Sequence, residues 1–390
     1  MNIEEKAFSM KDELISIRRE LHKIPEIEFE VYKTAAYIRS KLDEYKIPYD
    51  IVCETGTVVT IEGGKPGKTV LLRADIDALP INDESDFEVK SEHEGCMHAC
   101  GHDIHATCLL GTVKLLNEIK GTLNGNVKCV FQPAEEGDGG ALPMINEGIM
   151  ENPHVDGAFG LHVEPLERTG NIQIKDGSAM ASPDDFEIKI HGTGGHGAYP
   201  EKCINPLTVA AAIMERCHAI PEHYDLPCVV TICEIHGGTA RNVIPDTVTM
   251  TGTARSLDPD TRTSLIKLLD EIVRDTAKKL GASAELDFNI LFPPVVNDSK
   301  MNELVKKSAD KLDCISKVIT LDRPSMAGDD FAYYGELVPA TYFKLGVGNK
   351  EKGAIYPIHS PKFKADEDAI PIGVSILAQT AIDFLDTFEK

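Results

Sequence analysis

The sequence predicts an α/β protein in two parts, a larger one with a helix-covered sheet and a smaller one inserted into it. Three observations carry this. Up to residue 183, strand-length apolar runs alternate with amphipathic helical stretches, and the runs are continuously apolar, as in strands buried on both faces. Between 184 and 293 the order becomes strand-helix-strand-strand-helix-strand, which is the ferredoxin-like order. After the Phe292-Pro293-Pro294 break the α/β rhythm resumes, so residues 1–183 and 294–390 form one domain and 184–293 an insertion.

The first 46 residues read as two amphipathic helices, broken at His22-Lys23-Ile24-Pro25 because proline ends a helix at the residue before it. Strands follow at 49–53, 57–62 and 69–75, the last two joined by a Gly-Gly-Lys-Pro-Gly turn. A helix at 106–118 and strands at 127–132 and 157–162 continue the alternation. In the insertion, strands are expected at 184–192, 227–236, 246–255 and 283–291, with helices at 205–219 and 259–280. Helices at 300–312 and 368–387 complete the chain.

With 390 residues, 42% of them hydrophobic, the chain can bury substantial cores. Its formal charge of -23 argues against a nucleic-acid or anionic-membrane partner, since a phosphate surface is repelled by such a field. The N-terminus, MNIEEKAFSMKDEL, lacks the basic start and apolar core of a signal peptide, and no apolar run approaches bilayer-spanning length. A cytoplasmic location is expected, and with it reduced thiols for most of the ten scattered cysteines.

His98-Ala99-Cys100-Gly101-His102-Asp103-Ile104-His105 packs three imidazoles, a thiol and a carboxylate into eight residues at the start of a predicted helix. Borderline-soft divalent ions take thiolate and imidazole donors, and Cys-x-His can place both on one ion. Which members bind is open from the cluster alone, and Asp103 also fits a helix N-cap. Gln132-Pro133-Ala134-Glu135-Glu136 adds adjacent carboxylates where a strand ends, the edge at which α/β sheets place ligands. One such carboxylate can bind a metal while the other serves as general base. His162, at the end of another strand, and His359, on a late loop, are individually ordinary positions for a structural histidine.

Taken in order, Arg73-Ala-Asp-Ile-Asp77-Ala-Leu-Pro80, Met97-His-Ala-Cys-Gly-His-Asp103, Gln132-Pro-Ala-Glu-Glu-Gly137, Gly160-Leu161-His162, Gly194-Gly-His-Gly-Ala198, Arg241-Asn-Val-Ile-Pro-Asp246 and His359-Ser-Pro-Lys-Phe363 resemble the zinc aminoacylase and carboxypeptidase family. The similarity is to its amidohydrolase branch of hippurate hydrolases, indole-acetyl-amino-acid hydrolases and N-acetyldiaminopimelate deacetylases, and runs from Arg18-Arg-Glu-Leu-His22 to the last helix. The resemblance implies a zinc-peptidase-like catalytic domain, its mixed sheet covered by helices, with an inserted lid and dimerisation domain.

Carried over by residue, the resemblance makes Cys100 the bridge between two divalent ions, with His102, Glu136, His162 and His359 completing the ligands and Glu135 the general base. Zinc suits this donor set, and manganese, cobalt or nickel also satisfy it. Other branches carry His-x-Asp where this chain has Asp75-Ile76-Asp77, which leaves Asp75 without an assigned role and makes Asp77 an orienting group. His196 is implied as an oxyanion donor delivered by a partner subunit, hence a homodimer, with Asn242 and Arg255 holding a substrate carboxylate. The Gly328-Asp329-Asp330 loop is implied to lie near the pocket, with no role derived. The expected reaction is hydrolysis of an N-acyl-amino acid by metal-activated water, Glu135 taking its proton and returning it to the departing amine. Three alternatives compete: a dipeptidase or carboxypeptidase of the same family, a thiol redox sensor built on Cys96 and Cys100, and a non-catalytic binding protein on the same scaffold.

Overall fold

The structure is a computed structural model that describes residues 2–137 and 139–387. It divides into two compact units. The first runs to Gly177 and takes in Val296–Arg323 and the chain from Asp330 on; the second is Ser178–Val295 with Pro324–Asp329.

The first unit is built on an eight-stranded mixed sheet, in the order Asp50–Val52, Gly56–Ile61, Asn124–Gln132, Lys65–Asp75, Gly157–Arg168, Ala340–Gly348, Asn171–Ile174, Lys317–Thr320. Its four central strands, Asn124–Gln132 to Ala340–Gly348, are mutually parallel. The Gly56–Ile61 and Lys65–Asp75 strands, consecutive in the chain, are not neighbours, because Asn124–Gln132 lies between them. Register places the chemistry in one row. Asp75 pairs with Gln132, and His162 lies two residues beyond Gly160, the partner of Arg73, so Asp75 and His162 are level.

The His102–Ile119 helix is buried through most of its length and packs on Ala369–Thr387 and Lys11–Lys23. Ala369–Thr387 is long and apolar enough to cross a membrane, yet 83% of its apolar window is buried: it is a core helix, against the expectation that no stretch approached that length. Phe384 on it meets Phe159 of the sheet edge-on at 6.0 Å. The N-terminal region holds three helices rather than two, Ile3–Ser9, Lys11–Lys23 and Tyr32–Glu44. The extra break falls at the buried Met10, where no proline or glycine marks it in the sequence. The Ala340–Gly348 strand was also hidden, since Lys344 interrupts its apolar run; there Lys344 Nζ pairs with Glu164 Oε2 at 2.8 Å.

The second unit has a four-stranded antiparallel sheet in the order Val229–Gly237, Thr247–Ser256, Ser182–His191, Ser283–Asn289. Helices Pro206–His218 and Pro259–Lys279 pack on it through a core that includes Ile188, Ile190, Met250, Ile213 and Leu269. With its chain order, this is the ferredoxin-like arrangement. Arg262 bonds both Asp184, where the first strand starts, and the carbonyl of Phe292, where the chain leaves, and so ties the two ends of the insertion. The unit is wider than the stretch 184–293 because backbone bonds from Ala181 N to the carbonyls of Ser325 and Ala327 add the 324–329 segment.

Because Phe384 is fully buried against the central sheet, Phe384→Ala should destabilise the first unit by about 3–5 kcal/mol. Denaturant unfolding followed by circular dichroism reads this directly, and a loss under about 1 kcal/mol would show that the helix is not part of the core.

Candidate metal centre

Five segments converge toward the C-terminal side of the parallel strands: the end of Lys65–Asp75, the middle of Gly157–Arg168, the loop after Asn124–Gln132, the start of His102–Ile119, and the loop that carries His359. His162 is not at a strand end, as the sequence suggested, because its strand runs on to Arg168. Gly101 is the cap of that helix, with φ of 82°, a left-handed conformation that glycine adopts without strain. Its Cβ-less Cα also fits against Val163. Asp103 is therefore not the N-cap. It lies in the first turn, its carboxylate accepting from Ile104 N at 2.9 Å and from His22 Nδ1 at 2.7 Å and pairing with Arg18 Nε at 2.9 Å.

The candidate ligand groups overlap: His102 belongs to three of them, and two share Cys100. Cys100, His102 and His162 have donor atoms within 4.8 Å of one another, as do Cys100, Glu136 and His359. Cys100 Sγ is 3.4 Å from His162 Nε2, and Glu136 Oε1 is 3.3 Å from His359 Nε2 and 3.8 Å from His102 Nε2. A tetrahedral ion with 2.0–2.3 Å bonds sets its ligands roughly 3.3–3.8 Å apart. The residues therefore fit divalent cations. Both ring nitrogens of His102 and Glu136 Oε1 are buried without a hydrogen-bond partner, an arrangement whose cost a bound cation removes.

The remaining contacts sort the histidines. His162 Nδ1 donates to Val163 O at 2.6 Å, so the Nε2 lone pair faces Cys100. His105 is not presented as a ligand. Its Nδ1 meets Asp75 Oδ1 at 2.5 Å and its Nε2 accepts from Val163 N at 2.9 Å, which uses both nitrogens. His98 is buried with neither nitrogen bonded, and burial pushes it down to about 3. Asp77 Oδ1 lies 3.4 Å from His102 Nδ1 while Oδ2 accepts from Glu136 N at 3.0 Å, linking two ligands. His359, on a left-handed residue with φ of 61°, donates its backbone N–H to Ala99 O at 2.9 Å, which brings it beside Cys100. Glu135 Oε2 is 4.0 Å from His102 Nε2.

Electrostatics follow from this crowding. Burial, reinforced by Glu136, Glu135 and Asp75, pushes the Cys100 thiol well above its ordinary range. Burial opposes charge on His102, yet Asp75, Asp77 and Glu136 outweigh it and hold the imidazole up at about 10. Burial and the neighbouring His105 push His162 well down, so it is neutral.

Two networks that the sequence reading missed hold these segments. Arg73, buried on the central strand, bonds Asp75 Oδ2 at 2.5 Å, Gln132 Oε1 at 3.0 Å and Asp330 Oδ1 at 2.8 Å. Arg18, also buried, joins Asp103 and lies 4.6 Å over the Phe87 ring, with Glu367 at 3.4 Å. The signal was present: a charged residue inside a continuously apolar strand, such as Arg73, must have a buried partner.

The other three candidates belong to the second unit. His196 is exposed on a two-residue strand paired with Val243, and its Nδ1 accepts from Ala198 N at 3.1 Å, so Nε2 carries the proton. Asn242 adjoins it through Gly197 N, which donates to Asn242 O at 2.8 Å. Arg255 is half-buried at the opposite end of Thr247–Ser256, eight residues or about 27 Å along the strand from Thr247. Asn242 and Arg255 of one copy thus mark different ends of the unit.

Since Cys100 and His102 are both protonated at neutral pH without metal, binding must displace those protons, and affinity should rise with pH, by up to about a hundredfold per unit. Calorimetric titration of the metal-free protein in buffers of different ionisation enthalpy should read close to two protons released per chain; no release would remove the thiolate from the site. Cys100→Ser should weaken both ions together, and loss of one alone would show that Cys100 does not bridge.

Similarity to known proteins agrees with this geometry. A model of peptidase family M20/M25/M40 matches residues 71–383. The chain is 38% identical to thermostable carboxypeptidase 1 of Saccharolobus solfataricus, over 96% of each chain. It is 35% identical to IAA-amino acid hydrolase ILR1-like 4 of Arabidopsis thaliana, over 96% of this chain and 86% of that one. Among solved structures, the YXEP protein of Bacillus subtilis, described as a dinuclear metal binding peptidase from the M20 family, superposes with a TM-score of 0.86 at 32% identity, covering 97% of this chain and 99% of that one. The chain belongs to peptidase family M20/M25/M40, and its relatives fit the amidohydrolase branch of that family.

Proposed function

We propose that this enzyme hydrolyses N-acyl-amino acids to a carboxylic acid and a free amino acid, with two divalent ions held by Cys100, His102, Glu136, His162 and His359. The observation that carries this is the pair of three-residue ligand groups with Cys100 common to both. Bound ions supply Lewis acidity, which polarises the acyl carbonyl and makes a water acidic near neutrality. Zinc suits the donors best, and manganese, cobalt or nickel also fit.

The chain's own residues perform the rest. Glu135, next to the ligand Glu136, takes the proton of the attacking water on a carboxylate oxygen and delivers it to the leaving nitrogen. Asp77 orients His102 from behind. Because Nδ1 accepts from Ala198 N, His196 presents an Nε2–H donor suited to an oxyanion. Arg255 and Asn242 are assigned to the substrate carboxylate; because they mark opposite ends of one inserted unit, a second copy contributes Asn242 with His196, which makes the working form a homodimer. Ten free cysteines fit a reducing, cytoplasmic setting. They also leave the redox-sensor alternative without support: burial pushes Cys96 up to about 11, away from a reactive thiolate.

The similarity to a carboxypeptidase keeps one second reading, cleavage of a peptide amide at the same centre. A panel of N-acetyl and N-benzoyl amino acids against dipeptides, with defined metals, decides between them. Turnover of the acyl-amino acids is expected, and dipeptide turnover without it would overturn the assignment. Glu135→Gln should lower kcat by about 10²–10⁴-fold with bound metal unchanged. Full activity in that variant would remove Glu135 as the base and, with no turnover of any amide by the native chain, leave a binding protein.

A further inference from the structure

We propose that Asp330 is the positioning residue of the catalytic loop: its buried carboxylate staples together the two ends of the 133–140 loop and so fixes where Glu135 and Glu136 stand. The inference rests on Glu135 being the general base.

The loop leaves the sheet at Gln132 and ends where the Ala141–Asn146 helix begins. Both ends come to one carboxylate. Gln132 Nε2 donates to both oxygens of Asp330 at 2.8 Å, and Ala141 N donates to Asp330 Oδ2 at 2.8 Å. Arg73 Nη2 adds a charged bond to Oδ1 at 2.8 Å, and Asp330 is fully buried. The Gln132 amide has one orientation, because its Oε1 accepts from Arg73 Nε at 3.0 Å and from Tyr334 OH at 3.1 Å.

Gly139 N donates to Ala134 O at 3.1 Å, and a Cβ on Gly140 would sit 1.8 Å from Pro133 O. Ala134, fully buried, has φ of 58°. A non-glycine residue in that region is strained by about 1–3 kcal/mol and persists only where its surroundings over-determine it. The strained residue immediately precedes Glu135. A carboxylate oxygen of Glu135 lies within 4.8 Å of one of Asp330. On its other side, Glu135 Oε2 lies 4.0 Å from His102 Nε2.

A buried ion pair is a weak source of stability but fixes geometry well, and misplacing a catalytic group by about 1 Å can cost about 10²-fold in rate. Asp330→Asn keeps the size of the side chain while turning an amide toward the donors of Gln132 and Ala141. Its kcat should fall about a hundredfold, with KM changed by less than about threefold. In the metal-free protein, amide exchange at Gly139 and Ala141 should be faster than in the native chain. On a Glu135→Gln background, at saturating metal, the further cost of Asp330→Asn should shrink to less than about threefold, because the loop then has no base to place. If Asp330→Asn does not fold, Gln132→Leu cuts the first end of the staple and leaves Arg73 with Asp330. It should show the same pattern at about a tenfold loss.

A native kcat in Asp330→Asn, or the same loss with and without Glu135, would overturn the proposal. Its failure is separable from that of the general-base reading: an inactive Glu135→Gln beside an active Asp330→Asn removes the staple alone, whereas an active Glu135→Gln removes the base.

Discussion

Negative charge, buried at one edge of a parallel sheet, is the constraint to which the rest of the catalytic unit answers. Asp75, Asp77, Glu135, Glu136, Asp330 and the thiol of Cys100 are drawn together by four segments distant in sequence. Such a cluster costs several kcal/mol per uncompensated charge in a folded chain. Arg73 offsets part of it from within the sheet, bonding Asp75, Gln132 and Asp330 at once. Protons on Cys100 and His102 offset more. Both residues belong to the candidate metal groups, so in the metal-free chain protons occupy donor atoms that fit a divalent ion.

The same constraint explains how similar histidines come to differ. An imidazole becomes a ligand, a brace or a donor according to what its other nitrogen meets. Val163 serves two of them from its two backbone groups: its carbonyl takes the Nδ1 proton of His162, and its N–H occupies Nε2 of His105. One residue thus turns His162 toward Cys100 and makes His105 a prop for Asp75. In the inserted unit, a backbone N–H again decides, leaving the proton of His196 on the exposed nitrogen.

The order of elements was legible because each has a local cause. The ferredoxin-like insertion announced itself through strand and helix periodicities bounded by Ser182-Pro183 and Phe292-Pro293-Pro294, and the sheet edge through the strand ends at Asp75 and Gln132, whereas the strand of His162 runs on to Arg168. What escaped lacks a local cause. The break at Met10 carries no proline or glycine, and Ala340–Gly348 hides behind a lysine whose partner, Glu164, is 180 residues away. At the site, the residues of the candidate metal groups were within reach of motif and resemblance. The residues that hold them were not: Asp330 lies 257 positions from Arg73, and Arg18 lies far before the Asp103 it grips. Sequence spacing says nothing about such pairs. Only the rule that a buried charge needs a partner points to their existence, without naming the partner.

A thiol at position 100, in place of one more carboxylate, sets the balance of the cluster. A carboxylate at position 100 would remain charged under most conditions and add to Asp75, Glu135 and Glu136 whenever ions were absent. Cys100, pushed well up by burial and by those same carboxylates, is neutral until an ion arrives. Its proton thus spares the metal-free chain one more buried charge, and a cation bound there would displace it. The fold can then concentrate carboxylates around the thiol, since that group becomes anionic only when a cation is there to meet it.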